Sequence, residues 1–578
     1  MLVTPAPFLS DIGHGPDGSG HDIQFALLIL SHFSTFLRAC GKAVQLGNTT
    51  LTGAKFDNVE FYGGIPYAEA PVGSLRFRNP VLLSKLNSTT LNASQFGPGC
   101  LQPPVGSEET KTSEDCLSIN IFRPANLASS EALPVMAFIH GGGFIFGSSA
   151  DYNASSLVKQ SISRGTPVIY VSFNYRLGPL GFAQGREAAE SNALNRGLRD
   201  QLTALQWIQD HVASFGGSKS KVTLFGESAG SAAVSTLFLN PNLAKLVWAG
   251  IFESGGAGGL SFLFGPLTRQ LDWDNFVNAI PECANSTGSS LECLQRLDNS
   301  TTLQQAIITS WAESKEGYPW VPVLDDPNGL LPDLPSVLLE RGKFARLPFI
   351  AGSNLDEGTY FVNPLVNFTA ELKSRLLANY SSSTVPDTAL EAAIDRLLEL
   401  YPDIPALGSS YNTGNQTFGF NSQFKRLSSI MGDLMITSQR REWNQAASKF
   451  GVKTFGYLFT DAGAPPIAPP TVGPISPAAA LGVPHTAELV YIYNLTAAFQ
   501  RPASAMGLSI QMVDYWISFA TSLDPNDGLG SVRPAWSQHT DGNKMVLELN
   551  SANLSMIPDN YREQQTDFIT SNAVIFPQ

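Results

Sequence analysis

The chain has 578 residues, of which 43% are hydrophobic and 15% charged, and its net charge at pH 7 is −13. This composition supports a large buried core and excludes a disordered chain, while the acidic balance without a long basic run argues against nucleic acid and against an anionic membrane surface. The longest apolar run near the N-terminus, FALLIL (25–30), is too short to cross a bilayer, so we expect no membrane span.

The first 43 residues differ from the rest of the chain. A polar start rich in Pro and Gly precedes IQFALLILSHFSTFL (23–37), which is similar to the apolar region of a signal peptide, and Gly41 and Ala43 supply small residues for cleavage. The charged start of a signal peptide is missing. Two interpretations stay open: a secretory signal behind an extended start, or a disordered arm with one amphipathic turn. We predict an arm over 1–43 and a single domain over 44–578.

Strand-like and helix-like runs alternate along the middle of the chain. The predicted strands are 117–122, 135–140, 167–175, 221–225, 247–254, 348–354 and 454–459. The predicted helices are 197–215, 232–240 and 509–523. The irregular stretch 261–320 is interpreted as a helical insertion, and the Pro/Ala-rich segment 462–484 as a loop. This alternation predicts an α/β fold, in which helices cover both faces of a large, mostly parallel sheet.

A single G-x-S-x-G motif occurs at 226–230, within FGESAGS. It follows the predicted strand KVTLF and precedes small helix-forming residues. Strand, tight turn and helix are what a nucleophile elbow needs, and the turn would hold the hydroxyl of Ser228 out toward a substrate. The alternative is an ordinary Gly/Ser loop, because such a motif also arises by chance.

The histidines offer few candidates for a general base. His14, His21 and His32 lie in the N-terminal arm, His211 lies in a predicted surface helix, and His140 precedes three glycines. Of the remaining two, His539 lies in WSQHTDG, interpreted as a polar turn without apolar support. His485 follows an apolar loop and opens HTAELVYIYN, so we favour His485.

The acid that would orient this base is predicted at the turn after a strand, in AGSNLDEGTYF (351–361). Composition does not choose between Asp356 and Glu357. Either one gives the order serine, acid, histidine that is typical of α/β-hydrolases.

Oxyanion donors are predicted after the strand VMAFIH, where Gly141, Gly142 and Gly143 follow one another. Backbone N–H groups can converge there without side chains in the way, and we predict donors at Gly142, Gly143 and Ala229. A glycine hinge or a phosphate loop is the poorer alternative, since a phosphate loop needs a Lys-Ser/Thr pair that is missing here.

Cysteines and sequons favour export. Cleavage after Ala43 would remove Cys40 and leave four cysteines, which allow three pairings; the sequence-local choice is Cys100–Cys116 with Cys283–Cys293, and reduced core cysteines are the alternative. N-glycosylation sequons begin at Asn48, Asn87, Asn92, Asn153, Asn285, Asn299, Asn367, Asn379, Asn415, Asn494 and Asn553. Such a spread is typical of a secreted glycoprotein.

Taken together, several stretches resemble the type-B carboxylesterase/lipase family of α/β-hydrolases, which includes the cholinesterases and fungal lipases. They are FYGGIPYAEAPVGSLRF (61–77), SEDCLSINIF (113–122), HGGGF (140–144), VSFNYRLGPLGF (171–182), GLRDQLTALQWI (197–208), FGESAGS (225–231), GSNLDEGTYF (352–361) and GVPHTAELVY (482–491). The resemblance covers nearly everything after about residue 50.

The resemblance implies a role for each candidate residue. Ser228 becomes the nucleophile that accepts the acyl group, Glu357 rather than Asp356 the triad acid, and His485 the base. It implies the oxyanion donors and both disulfides named above, and a supporting position for Glu488. It implies no metal and no cofactor.

The loop between Cys100 and Cys116, LQPPVGSEETKTSED, departs from the family pattern. In cholinesterases and lid-bearing lipases this loop is long, whereas here it is short and has no aromatic residue. We therefore favour an esterase for soluble small or medium esters. We also expect the protein to be secreted and monomeric. The alternatives are a lipase on longer acyl chains, a tailoring esterase or lactonase of secondary metabolism, and a catalytically silent binding member of the family.

Overall fold

The computed structural model describes residues 39–577, except for the segments 105–110, 128–130, 260–264, 285–286, 315–316, 328, 382–384 and 471. The described residues belong to one compact unit. The predicted signal segment 23–37 lies outside them, so the arm over 1–43 and the domain boundary at 44 stay predictions.

A 12-stranded sheet forms the centre of the fold. In chain order its strands are β1 (Ala39–Cys40), β2 (Ala54–Phe56), β3 (Val59–Pro66), β4 (Ser118–Pro124), β5 (Leu133–Ile139), β6 (Ile169–Phe173), β7 (Gly217–Glu227), β8 (Ala249–Glu253), β9 (Phe349–Asn354), β10 (Thr454–Phe459), β11 (Met545–Leu549) and β12 (Ser555–Pro558). In space their order is β1-β2-β3-β4-β6-β5-β7-β8-β9-β10-β11-β12. The strands from β6 to β11 in this order are parallel, and the outer strands pair antiparallel.

The helices cover both faces of this sheet. They are α1 (Ser155–Ser163), α2 (Gly178–Gly181), α3 (Gly185–Glu190), α4 (Arg196–His211), α5 (Ala229–Phe238), α6 (Gln270–Asn278), α7 (Ser290–Gln295), α8 (Ser300–Glu313), α9 (Pro335–Glu340), α10 (Thr369–Tyr380), α11 (Asp387–Leu400), α12 (Ser422–Gly432), α13 (Ser438–Lys449), α14 (Leu489–Ile492), α15 (Ala503–Ser522) and α16 (Glu563–Ser571).

The side chains of β5 show why the strands read as continuous apolar runs. Ala137 and Ile139 belong to one hydrophobic cluster, with residues of α4 and α5, whereas Met136 and Phe138 belong to another, with residues of α14 and α15. Successive side chains of a strand point to opposite faces, so a strand covered on both sides is apolar at every position. The predicted α/β architecture is confirmed.

The element boundaries differ where turn chemistry outweighs periodicity. The strand predicted over 221–225 extends to Glu227, because Gly226 and Glu227 still pair with Phe252 and Glu253 of β8. The helix predicted from 509 begins at Ala503, directly after Pro502, whose fixed φ suits a helix start. In the irregular stretch 261–320 the described residues form α6, α7 and α8.

The cysteines pair as the sequence-local choice predicts, and the described sequon asparagines are exposed or half-buried. Cys100 is bonded to Cys116 and Cys283 to Cys293, with Cα–Cα distances of 5.0 and 5.8 Å, and Cys40 is an exposed free thiol. Asn153 and Asn379 are half-buried, and the other described sequon asparagines are exposed. Asn285 lies outside the described residues. Glycosylation itself stays a prediction.

Candidate active site

Ser228 lies at a sharp turn between β7 and α5. Its backbone has φ 56° and ψ −124°, a conformation that a residue with a side chain adopts only when its surroundings force it. Its N–H donates to the Glu253 carbonyl at 3.0 Å, which ties the turn to β8. A Cβ on Gly230 would lie 2.0 Å from the Ile139 carbonyl oxygen, so only glycine lets α5 pass this close to β5.

A chain of hydrogen bonds joins the three side chains that the sequence singled out. His485 Nε2 lies 2.7 Å from Ser228 Oγ, and His485 Nδ1 lies 2.7 Å from Glu357 Oε2. The second oxygen of Glu357 accepts the Asn354 N–H at 2.6 Å. All three residues are buried, and Ser228 keeps 6% of its surface exposed. The groups therefore meet in the arrangement that a serine nucleophile requires.

Asp356, the neighbouring acid, has a different partner set. Its carboxylate accepts hydrogen bonds from Ser409 Oγ at 2.7 Å, Tyr411 N at 2.7 Å and Val483 N at 2.9 Å. Burial raises its pKa to about 6, and these hydrogen bonds oppose that shift. Because Val483 precedes His485 by two residues, Asp356 anchors the loop that carries the imidazole, while Glu357 contacts the imidazole itself.

The interpretation of His539 as a residue of an unsupported polar turn is wrong. Its side chain is buried, with Nδ1 3.1 Å from Ser448 Oγ and Nε2 3.5 Å from Asp559 Oδ2. Both partners come from other parts of the chain, so the local sequence could not reveal them. His140 is also buried; its ring stacks on Tyr175 with centroids 4.5 Å apart, and burial lowers its pKa to about 4.

The three glycines after β5 form a tight turn beside Ser228. Gly142 and Gly143 have φ of 104° and 62°, and the N–H of Phe146 donates to the Gly142 carbonyl at 2.9 Å. A Cβ on Gly141 would lie 3.0 Å from Ser228 Cβ, so the loop touches Ser228. Side-chain-free backbone and the first residue of α5, Ala229, thus flank the serine from two directions.

Three further glutamates are buried near Ser228 and His485. The resemblance in sequence assigned a supporting position only to Glu488. Glu227 Oε1 lies 3.4 Å from His485 Nε2 and has no hydrogen-bond partner among the described residues. Glu488 accepts from Ser254 Oγ at 2.7 Å and from Asn354 Nδ2, and Glu253 accepts from Trp516 Nε1. The sequence signal that could have identified the other two was their position, since Glu227 directly precedes Ser228 and Glu253 ends β8.

The electrostatics of these glutamates follow from burial without a cation. Burial, and then the charge of the other glutamates, raises the pKa of Glu227 and of Glu253 well above the usual value. The pKa of Glu488 is raised to about 7 for the same reasons, against the two hydrogen bonds that it accepts. A protonated carboxyl near the imidazole adds no negative charge to the site.

Aromatic rings narrow the approach to Ser228. A Cβ on Gly143 would lie 2.2 Å from the ring of Tyr318, so this ring lies directly on the glycine turn. The ring centroids of Tyr318 and Phe361 are 6.3 Å apart, and those of Phe361 and His485 are 4.8 Å apart. The glycine turn and the imidazole are thus lined by one aromatic wall.

The described residues contain no cluster of three or more His, Cys, Asp or Glu side chains that could hold a metal ion. No helix in the described part of the chain is both long and apolar enough to cross a membrane.

Several known proteins are similar to this chain in sequence or in structure. The chain is 32% identical to "Lipase 2" of Geotrichum candidum, over 89% of this chain and 92% of that protein, and 33% identical to "Secreted lipase 1" of Botryotinia fuckeliana, over 93% and 94%. The crystal structure of Aspergillus niger EstA matches with a TM-score of 0.78 and 25% identity, over 93% of this chain and 99% of that one. A solved PNB esterase matches with a TM-score of 0.72 and 25% identity, over 91% and 99%.

The match to a family description covers nearly the whole chain. Residues 41–569 match the family model described as "Carboxylesterase family". This match confirms the resemblance of the sequence motifs, the α/β-hydrolase class and the prediction of an ester hydrolase. The chain belongs to the carboxylesterase family.

Proposed function

We propose that this chain is a secreted serine carboxylesterase that hydrolyses soluble esters of small or medium size through an acyl-enzyme on Ser228. The observation that carries this proposal is the continuous hydrogen-bond chain Ser228–His485–Glu357, with both links at 2.7 Å. A serine hydroxyl is a weak nucleophile, and it becomes effective when an adjacent base takes its proton.

In the acylation step, Ser228 Oγ attacks the ester carbonyl carbon while its proton moves to His485 Nε2. Glu357 accepts the hydrogen bond of Nδ1–H, which fixes the tautomer and stabilises the imidazolium that forms. The imidazolium then gives its proton to the leaving alcohol, and the acyl group stays on Oγ. Water attacks the acyl-enzyme in the second step, His485 takes its proton, and the acid leaves as Oγ regains the proton.

The negative oxygen of each tetrahedral intermediate needs donors. We assign these to the backbone N–H groups of Gly142, Gly143 and Ala229, because the glycine turn touches Ser228 and Ala229 opens α5. The N-terminus of α5 adds a favourable dipole. Losing one such donor typically costs about 2.7–4 kcal/mol in the transition state.

The small exposed fraction of Ser228 limits the size of the substrate that can reach it. Its exposed fraction is 6%, and the Tyr318 ring lies on the glycine turn at which the ester oxygen would bind. This geometry favours compact esters. A lipase on longer acyl chains is the second candidate, because relatives at about 30% identity carry the name lipase.

Substrate assays separate the two candidates. With p-nitrophenyl esters from acetate to palmitate, we expect kcat/KM to be highest for short chains and the rate to rise smoothly through the critical micelle concentration. Ser228→Ala should abolish both activities. Tyr318→Ala should move the preferred chain length upward. Tyr411→Ala, at a half-buried tyrosine whose backbone N–H donates to Asp356, is the control for general loosening. A sharp rise at the micelle threshold would identify a lipase.

Secretion is supported by three independent features. Both disulfides close short loops, the described sequon asparagines are exposed or half-buried, and a relative is named a secreted lipase. Mass spectrometry of the protein from culture medium should find glycans on the exposed sequons and an N-terminus after residue 37. A protein retained in the cell without glycans would contradict this part of the proposal. We further propose a monomer, which light scattering would test.

A further inference from the structure

A cavity of about 250 Å³ lies away from the triad, between the end of α11, the helix α12 and the C-terminal helix α16. Its wall combines two guanidinium groups with apolar side chains, contributed by Arg426, Arg562, Leu400, Pro402 and Leu407. None of the residues that line it belongs to the Ser228 site. The proposed esterase mechanism uses none of these residues.

Arg426 is a buried cation without an ion-pair partner. Only 8% of its surface is exposed, and its strongest hydrogen bonds go to backbone carbonyls, those of Leu398 at 2.7 Å and Tyr401 at 2.5 Å. Its Nη1 makes only long bonds, of 3.3 Å to Thr369 Oγ1 and 3.4 Å to Gln423 Oε1. No described carboxylate lies within 4 Å of it.

Most comparable buried arginines have a carboxylate partner. Arg76, Arg123 and Arg176 each bond a carboxylate at 2.7–2.8 Å, whereas the buried Arg196 bonds the Phe77 carbonyl and Asn79 instead. Burying a charge without such a partner costs free energy, and burial accordingly lowers the pKa of Arg426. The carboxylate that opposes this shift is that of Asp403, which is exposed to solvent and therefore screened.

A second guanidinium is held rigidly at the same wall. Arg562 gives Nε and Nη2 to Asp433, both at 2.7 Å, and its guanidinium lies 4.5 Å from the ring centroid of Tyr411. Its Nη1 has no hydrogen-bond partner among the described residues. A planar, preorganised guanidinium with a free edge suits a carboxylate.

The remaining wall is apolar and opens to solvent. Leu400 is buried, while Leu407 is 59% exposed and Pro402 is exposed. A fully polar anion would leave this surface uncovered, and an uncharged apolar molecule would leave Arg426 unpaired. Both needs are met by a molecule with one carboxylate and a short hydrocarbon body.

We propose that this cavity binds a small organic monocarboxylate, with the carboxylate on Arg426 and Arg562 and the hydrocarbon body against Leu400 and Leu407. The binding does not depend on the proposed esterase function. The acid released by ester hydrolysis is itself a member of this ligand class, so the enzyme's own product would be able to occupy the site.

Calorimetric titration of the intact protein with hexanoate tests the proposal. We expect saturable binding that persists in Ser228→Ala. Arg426→Gln and Leu407→Glu should each weaken it at least tenfold, because one removes the charge that holds the carboxylate and the other adds a repelling charge at the mouth. The matched control is Arg396→Gln, on the outer surface of α11 in an exposed pair with Glu399.

Two further probes define the ligand class. Hexanol and inorganic phosphate should each bind at least tenfold more weakly than hexanoate. Leu407 is exposed, so Leu407→Glu should fold even if Arg426→Gln does not, and melting curves identify any variant that fails. Hexanoate affinity unchanged in Leu407→Glu, no binding to the parent protein, or phosphate binding as tightly as hexanoate would each overturn the proposal. None of these results bears on catalysis by Ser228.

Discussion

Two groups of buried acids differ in their partners, and their pKa values are shifted in opposite directions. Beside the triad, Glu227, Glu253 and Glu488 are buried without a cation, and their pKa values are raised. Asp559 is also buried, but it accepts hydrogen bonds from Arg440 and Arg441 of α13, and its pKa is lowered. Burial alone therefore does not decide the charge of an acid; its partners do.

This difference in partners points to different roles for the two groups, one beside His485 and one in stabilising the fold. Ionised acids around His485 would compete with Glu357 for a protonated imidazole, and the raised pKa values of these three glutamates reduce that competition. The charged Asp559 instead joins α13, the segment after β12 and His539 into one clamp. Removing the charge of Asp559 should therefore destabilise the fold, whereas a neutral replacement of Glu227 should change little.

The largest expected effect is a difference in activity between variants of the two glutamates near His485, Glu357 and Glu227. Glu357→Gln keeps the shape but removes the charge that selects the tautomer, so we expect kcat to fall about 10⁴-fold, as is typical of such a change in a triad. The pKa of Glu227 is raised well above its usual value by burial, so we expect Glu227→Gln to remove little charge and to cost about tenfold or less. Steady-state kinetics on one short ester measures both. Equal losses in the two variants would contradict the contrast.

The next effect concerns the clamp. Asp559→Asn leaves two buried guanidinium groups without their counter-ion, and we expect the free energy of unfolding to fall by about 3–5 kcal/mol. The control is Asp57→Asn, which breaks the exposed pair with Lys159 and should cost less than about 1 kcal/mol. Urea unfolding at pH 7 compares them. A clamp variant as stable as the control would show that this charge does not hold the fold.

Acid should weaken the clamp for the same reason. The pKa of Asp559 is lowered in the folded protein, so its stabilising contribution is present above the usual aspartate pKa and is lost as the pH falls toward the lowered value. The stability difference between the parent and Asp559→Asn should therefore shrink below about pH 4. A difference that stays constant with pH would contradict the role of the charge.

A smaller effect on the pH dependence of stability, of opposite sign, is expected for Glu488. The pKa of Glu488 is raised from 4.5 to about 7, so the folded state binds the proton more tightly and stability falls as the pH rises through that window. The shift corresponds to something on the order of 3 kcal/mol. Glu488→Gln cannot ionise, so its unfolding free energy should fall less between pH 4.5 and 7.5. Parallel curves for parent and variant would refute this.

Much of the fold was predictable because the parallel strands are buried on both faces and read as apolar runs. The strand at 454–459 has the predicted bounds, and both disulfides are the sequence-local pairs. Boundaries set by pairing with distant segments were not predictable. The extension of β7 to Glu227 depends on β8, which the local sequence around Ser228 does not contain.

The site was predictable to the level of motifs and family resemblance. Composition could not choose between the adjacent Asp356 and Glu357, whereas the family resemblance favours Glu357; in the structure Glu357 contacts His485 and Asp356 does not. The burial of His539 depends on Ser448 and Asp559, and the Arg426 cavity on α16. Such features arise from long-range contacts that a single sequence does not encode locally.

The central claim is that Ser228 is the nucleophile activated by His485, and covalent labelling tests it most directly. Treatment with a fluorophosphonate, followed by peptide mass spectrometry, should find one adduct, on the peptide that contains Ser228. Labelling should be absent in Ser228→Ala and much slower in His485→Ala, with activity lost in step. An adduct on another residue, or full ester hydrolysis by Ser228→Ala, would contradict the account.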